Sequence, residues 1–257
     1  MKVLIVDDDK NVNEFLSRVM KTRLNCRIES AMNGIDAISY LNTELVDLIL
    51  LDVAMPIVSG VEVLEIVRND KRLKHIPVVM ITANKEKEIA TRLVELGIMG
   101  YILKPLMIDN LVKNMRDIFE KISKMEKPAV VEEAGDSKMS LLLAVENPDL
   151  RAQIKNKVTG FEEIHETANG VEVLKIFMKE KPLVVFASAG IQILSDILLA
   201  KSLKKVAGTR KFKMIISRES GKITAEENQF IHGVVEISNN KTELAEKIAE
   251  KINESIK

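Results

Sequence analysis

Residues 3–9 read VLIVDDD: four apolar residues, then Asp7, Asp8 and Asp9 in succession. A strand with no hydrophilic face belongs in a sheet covered on both sides. Three carboxylates at its end are unfavourable there. Two of them about 4 Å apart repel by roughly 1 kcal/mol in bulk water, and by more where the surroundings are less polar. Either the side chains splay into solvent or something positive sits among them.

Working outward, the amphipathic stretch NVNEFLSRVMKTRL follows this run, and the alternation continues. CRIESA, DLILLD, PVVMIT and GYILKP are short apolar or mixed runs, separated by GIDAISYLNTE, GVEVLEIVRND and EIATRLVELG and closed by IDNLVKNMRDIFEKISKM. Five strand–helix units of this kind predict a doubly wound α/β domain with a parallel sheet. The stretch KPAVVEEAGDS at 127–137 breaks the periodicity with Pro, Gly and acidic residues and reads as a linker. Beyond it the pattern restarts. SLLLAVENPDLRAQI follows the apolar spacing of KVLIVDDDKNVNEFL, ANGVEVLKIF follows MNGIDAISYL, and KPLVVFAS, FKMIIS and GVVEIS stand where VDLILLD, VVMIT and GYILKP stood. Asn33–Gly34 recurs as Asn169–Gly170, and Gly100 as Gly233. The chain is therefore expected to hold two domains of one fold, 1–124 and 138–257, joined by a linker at 125–137.

Composition narrows the function classes. The 257 residues carry 38 basic and 38 acidic side chains, shared evenly between the halves, so neither half has the basic excess of a DNA-binding module. No third domain is left to carry a helix-turn-helix. Cys26 is the only cysteine, which excludes an intrachain disulfide and suits a reducing compartment. The first strand begins at the N-terminus with no signal-peptide pattern, and no apolar run reaches the 18 or so residues of a membrane span. A cytoplasmic protein is expected. The twelve methionines read as adaptable core volume, and His75 as a surface residue.

In open α/β sheets, ligands bind beyond the carboxyl ends of the strands, near the switch in strand order. Those ends carry Asp7, Asp8 and Asp9, then Asp52, Thr82 and Lys104–Pro105. The order 2-1-3-4-5 would gather Asp7, Asp8 and Asp52 beside Thr82 and Lys104. A hard divalent cation with oxygen ligands would relieve the repulsion, and Mg²⁺ suits such a site. A cation, a carboxylate and a positioned ammonium are also the equipment of phosphoryl transfer, with Asp52 as nucleophile. Singly, each residue has a plainer reading. Asp9 could cap the first helix, Asp7 and Asp8 could be solvated strand ends, Thr82 a helix cap and Tyr101 a residue at the rim of the core.

Taken in order, VLIVDDD, LLDVAMPIVSG, MITAN and GYILKP resemble the receiver domain of two-component response regulators over residues 1 to about 124. The string Asp52-x-x-Met55-Pro56-x-x-x-Gly60 follows that family's phosphoacceptor loop. The resemblance implies two flavodoxin-like (βα)5 domains with Asp52 as phosphoacceptor. It implies Mg²⁺ on Asp8, Asp52 and the main-chain carbonyl of Ala54, with Asp7 acting through water. It further implies a switch made of Thr82, Lys104 and Tyr101, and a cis peptide between Lys104 and Pro105. The implied partners are a histidine kinase or histidine phosphotransfer protein and an unnamed downstream protein. A homodimer is compatible with it, although Met99–Gly100 replaces an acidic pair common in transcription-factor receivers and puts their dimer interface in doubt. Ala54 and Asn84 offer no acid to orient a hydrolytic water, so a persistent phosphoryl group is expected. The rival class is a haloacid-dehalogenase-like phosphatase using Asp7 and Asp9, but Lys10–Asn11–Val12 continues its loop poorly. Nucleotide or flavin binding is disfavoured, because no glycine follows the first strand.

In the second half the corresponding positions read Val145 and Glu146 for Asp7 and Asp8, Ser188 (or Ala187) for Asp52, Ser217 for Thr82, and Ile237–Ser238 for Lys104–Pro105. This half is expected to be a degenerate receiver without an acceptor or metal, serving as an interaction or output module.

Overall fold

Every residue of the strands Leu48–Asp52 and Val78–Thr82 is buried, as four-residue apolar runs flanked by helices on both faces should be. The computed structural model describes residues 1–83, 87–125, 139–191, 195–219 and 223–256. The chain divides into two compact units, Met1–Glu133 and Ala134–Lys257. Apart from Met125, the expected linker at 125–137 lies outside the described residues, as does Asn84.

In the first unit the strands are β1 (Lys2–Val6), β2 (Arg27–Ala31), β3 (Leu48–Asp52), β4 (Val78–Thr82) and β5 (Gly100–Leu103). The helices are α1 (Lys10–Leu24), α2 (Gly34–Thr43), α3 (Gly60–Asn69), α4 (Lys87–Glu95) and α5 (Ile108–Ser123). All strand pairs are parallel, in the order β2-β1-β3-β4-β5. Alternation along the strands sends Val3, Ile5, Leu48, Leu50 and Ile81 to one face, where they meet Leu16 and Met20 of α1 and Leu111 and Met115 of α5. Full burial of each such side chain stabilises the fold by about 1.5–3 kcal/mol.

Local chemistry sets the helix ends. Asp9 caps α1, accepting from the amides of Asn11 and Val12, and Asn25 closes that helix in the left-handed conformation. Ser59 and Glu62 form a capping box on α3. The repeated Asn-Gly pair is a helix start: Asn33 caps α2, and Asn169 caps the corresponding helix of the second unit.

The second unit repeats the plan, with a 3-10 turn at Glu227–Gln229 described where the first has its fourth helix. Its strands are β6 (Ser140–Ala144), β7 (Glu163–Thr167), β8 (Val184–Ala187), β9 (Lys213–Arg218) and β10 (Gly233–Glu236), with helices α6 (Pro148–Lys157), α7 (Gly170–Glu180), α8 (Asp196–Ala207) and α9 (Lys241–Glu254). The parallel order β7-β6-β8-β9-β10 is the same 2-1-3-4-5 arrangement. Both units are flavodoxin-like receiver folds. Among the described residues, no helix is long and apolar enough to cross a membrane.

Candidate functional site

β1 and β3 are neighbours, with Val6 opposite Leu51, so Asp7 and Asp52 emerge side by side at the carboxyl edge of the sheet. Both are buried, Asp7 completely. Lys104 leaves the end of β5 and crosses to both: its Nζ lies 2.6 Å from Asp52 Oδ1 and donates to Asp7 Oδ2 at 2.9 Å. The remaining oxygens are held by main chain. Asp52 Oδ2 accepts from the Ala54 amide at 2.8 Å, and Asp7 Oδ1 from the Asp9 amide at 3.0 Å.

One ammonium does not balance two buried carboxylates. Burial pushes the Asp7 carboxyl above its ordinary pKa, and this outweighs the hydrogen bonds from Lys104 and the Asp9 amide. Burial also works against the Lys104 charge, but its bonds to Asp52 and Asp7 prevail and hold the ammonium above the usual lysine pKa. The pocket is short of positive charge, and its donors are all oxygen.

The three successive acids part company here. Asp7 is buried in the pocket, Asp8 is exposed at its rim, and Asp9 is exposed and caps α1. Both cap bonds go to Asp9 Oδ1. Thr82 is buried at the end of β4, one position beyond the residue paired with Asp52. Tyr101, on the edge strand β5, is 55% exposed and points away from the core. The Lys104–Pro105 peptide is cis. His75 is exposed.

Two supports were not singled out from the sequence. Asn13 is buried in the apolar face of α1, and its amide donates to the carbonyls of Asp7 (3.3 Å) and Ala31 (3.1 Å), fixing the end of β1. A polar residue within a helix's apolar stripe was the available signal. Gly60, quoted only as part of the loop motif, lies against the main chain of Asp52; a β-carbon there would come within 2.0 Å of the Asp52 carbonyl oxygen.

Residues 3–116 match the response regulator receiver domain family. The chain is 31% identical to the chemotaxis protein CheY of Pseudomonas aeruginosa over 123 residues, which is 48% of this chain and 99% of that protein. The chain belongs to the response regulator receiver family. Its similarity to CheY-3 of Vibrio cholerae is 32% over 122 residues, 48% of this chain and 94% of that one. Among solved structures, the chemotaxis protein CheY4 of Vibrio cholerae superposes with a TM-score of 0.43 at 27% identity, covering 46% of this chain and 97% of that chain. The protein is thus a two-component response regulator, and its matched receiver domain is a signalling domain.

The strand ladders align the second unit with this receiver residue by residue. Ala144 pairs with Thr167 and Ala187 as Val6 pairs with Ala31 and Leu51, which puts Val145 at the Asp7 position and Ser188 at that of Asp52. Ala187 opposes Ile216 as Leu51 opposes Met80, so the Thr82 position falls to Arg218 and not, as the match of FKMIIS to VVMIT suggested, to Ser217. The amide of Ile237 donates to the Arg218 carbonyl just as that of Lys104 donates to Thr82. The hydroxyl match was misleading because the run FKMIIS was aligned on its serine, whereas the ladder sets Lys213 at the place of Pro77, one residue ahead of β4. Ser217 occupies the Ile81 place on the other face, and its Oγ accepts from the Ala189 amide at 3.0 Å. Arg218 is tied at 3.2–3.3 Å to Glu227 and Asp196.

Proposed function

We propose that Asp52 accepts a phosphoryl group from the phosphohistidine of a partner kinase or phosphotransfer protein, and that the modified receiver changes its affinity for a downstream protein. The observation that carries this reading is the Lys104 ammonium spanning Asp52 and Asp7. An oxygen of Asp52 attacks phosphorus, and the phosphorus–nitrogen bond to the donor imidazole breaks. The electron pair returns to the ring nitrogen. Lys104 keeps Asp7 as one partner and exchanges Asp52 for the phosphoryl oxygens. The Thr82 hydroxyl donates to the same oxygens, and Tyr101, now outside, takes up the space vacated beside β5. The all-oxygen donor set and its excess of negative charge fit a hard divalent cation. Asp7, Asp8, Asp52 and the Ala54 carbonyl would hold Mg²⁺, which when bound neutralises carboxylate and phosphoryl oxygens alike.

The receiver in this reading spans 1–124. The unit at 138–257 is a degenerate receiver that acts as the interaction or output module and does not bind DNA. In support, Ser188, Val145 and Ile237 replace the acceptor, an acid and the lysine, while Arg218 is held by two carboxylates where a mobile hydroxyl would be needed.

Treatment with acetyl phosphate and Mg²⁺, followed by peptide mapping, tests the assignment. Modification of Asp52 is expected and should vanish in Asp52→Asn. Modification of Asp7 instead would favour the phosphatase class and overturn the reading.

A further inference from the structure

The second unit contains a group of potential ligands far along the strands from the positions equivalent to the receiver pocket. Glu163 and His165 are two apart on β7, so both side chains leave the same face of this edge strand. Thr167, next on that face, bonds to Glu172 of α7, which identifies it as the side covered by α7. Glu180 is the last residue of α7. One ligand atom from each of Glu163, His165 and Glu180 lies within 4.8 Å of the other two.

Nε2 of His165 is buried from solvent and has no hydrogen-bond partner. A buried polar atom left unpaired is unfavourable. Glu163 Oε2 is 3.7 Å from that nitrogen, too far for a hydrogen bond. It is close to the roughly 3.4 Å that separates two ligands held at 2.0–2.2 Å around one tetrahedral ion. The field also favours a cation. Glu180 places a carboxylate at a helix C-terminus, where the helix dipole is already negative. Lys179 pairs with Glu180 at 2.8 Å, but this lysine is 62% exposed, and an exposed pair of that kind compensates little.

We infer that Glu163, His165 and Glu180 form a binding site for a divalent transition-metal ion of the zinc class. A nitrogen ligand with two carboxylates suits Zn²⁺ and disfavours Mg²⁺, which selects oxygen. Three protein ligands leave one position for water or for a ligand from a partner. Such an ion would tie the edge strand β7 to the end of α7, a structural or recruiting role independent of phosphorylation at Asp52.

Calorimetric titration of the full chain with Zn²⁺, in excess Mg²⁺ to occupy the receiver pocket, tests this. Wild type and the surface control His75→Gln should each bind one Zn²⁺. His165→Gln and Glu180→Gln should weaken that binding by about tenfold or more, a loss that even changes outside the ligand shell can produce. Unchanged binding in His165→Gln overturns the site. So does absence of binding in wild type. Zn X-ray absorption on wild type loaded with one equivalent does not depend on any variant folding. A nitrogen–oxygen shell with one imidazole is expected, and a shell without imidazole overturns the assignment.

Discussion

Gly60 and Asp52 touch main chain to main chain: a β-carbon on the glycine would sit 2.0 Å from the Asp52 carbonyl oxygen, and the Gly60 amide already donates to the Val53 carbonyl at 3.0 Å. The loop from β3 to α3 is thereby folded back on the strand that presents the proposed acceptor. Gly60→Ala cannot be accommodated without moving one of the two backbones. The expected cost is about 1–3 kcal/mol, as for an overpacked core. Because the displaced atoms belong to Asp52, phosphoryl uptake should fall further than that of a surface variant of equal stability. Urea melts and acetyl-phosphate labelling measure the two effects, and full labelling in a destabilised Gly60→Ala would show that the contact does not position the acceptor.

Asp7 carries a stability cost with its charge. Burial raises its pKa in the fold above the unfolded value. For an acid this sign means that the folded state binds the proton more tightly, so the penalty is complete above the folded pKa and disappears as pH falls below the unfolded one. Asp7→Asn should therefore stabilise the metal-free protein at neutral pH, with a gain that shrinks as pH falls through the raised folded pKa and is gone below the unfolded value of about 3.9. The same change should weaken Mg²⁺ binding. Urea melts at pH 7 and pH 3.5 without divalent ions provide the check; an Asp7→Asn less stable than wild type at pH 7 would mean that the bond to Lys104 outweighs burial.

How much of this was legible in the sequence depended on whether a residue's role follows from strand order or from side-chain packing. The sheet order and the meeting of Asp7, Asp52 and Lys104 followed from apolar runs and the positions of charges at their ends. The division of labour among Asp7, Asp8 and Asp9 did not. Three identical residues in a row diverge because the chain there turns from strand to helix, sending one side chain inward, one to solvent and one onto the first amides of α1. Asn13 was hidden for a related reason: its partners are the carbonyls of Asp7 and Ala31, and a carbonyl leaves no mark on the residue type that carries it. The Ser217 assignment failed because residue type was matched before ladder register. The ladder sets Lys213 at the Pro77 place, which moves Arg218 to the Thr82 place and reverses the face of the serine.

Arg218 gives the second unit an ion pair at a position where the receiver carries a hydroxyl. It joins the first turn of α8, through Asp196, to Glu227 beyond β9. Arg218→Ala leaves both carboxylates without that guanidinium. It should lower the melting temperature of the second unit while leaving labelling of Asp52 intact, and Ser188→Ala should change neither by much. Differential scanning calorimetry with parallel labelling separates these effects. A loss of Asp52 labelling in Ser188→Ala would refute the residue-by-residue correspondence between the units.

His232 supplies a pH-dependent hold on the same unit. Its amide donates to the Met214 carbonyl at 2.7 Å, while its Nδ1 accepts from the Met214 amide at 3.1 Å, so the side chain completes the ladder just ahead of β10. Much of the residue is exposed, but the accepting nitrogen cannot take a proton without losing this bond. Partial burial of the ring, aided by the charges of Lys213 and Lys204, pushes its pKa below the ordinary histidine value. The unfolded state then binds the proton more readily. The stabilising contribution is complete above the unfolded pKa of about 6.5 and is lost as pH falls from there through the folded value. Urea melts of wild type and His232→Phe between pH 8 and pH 5 should show wild type losing stability over this window and the phenylalanine variant losing less. Equal slopes would place the titrating group elsewhere.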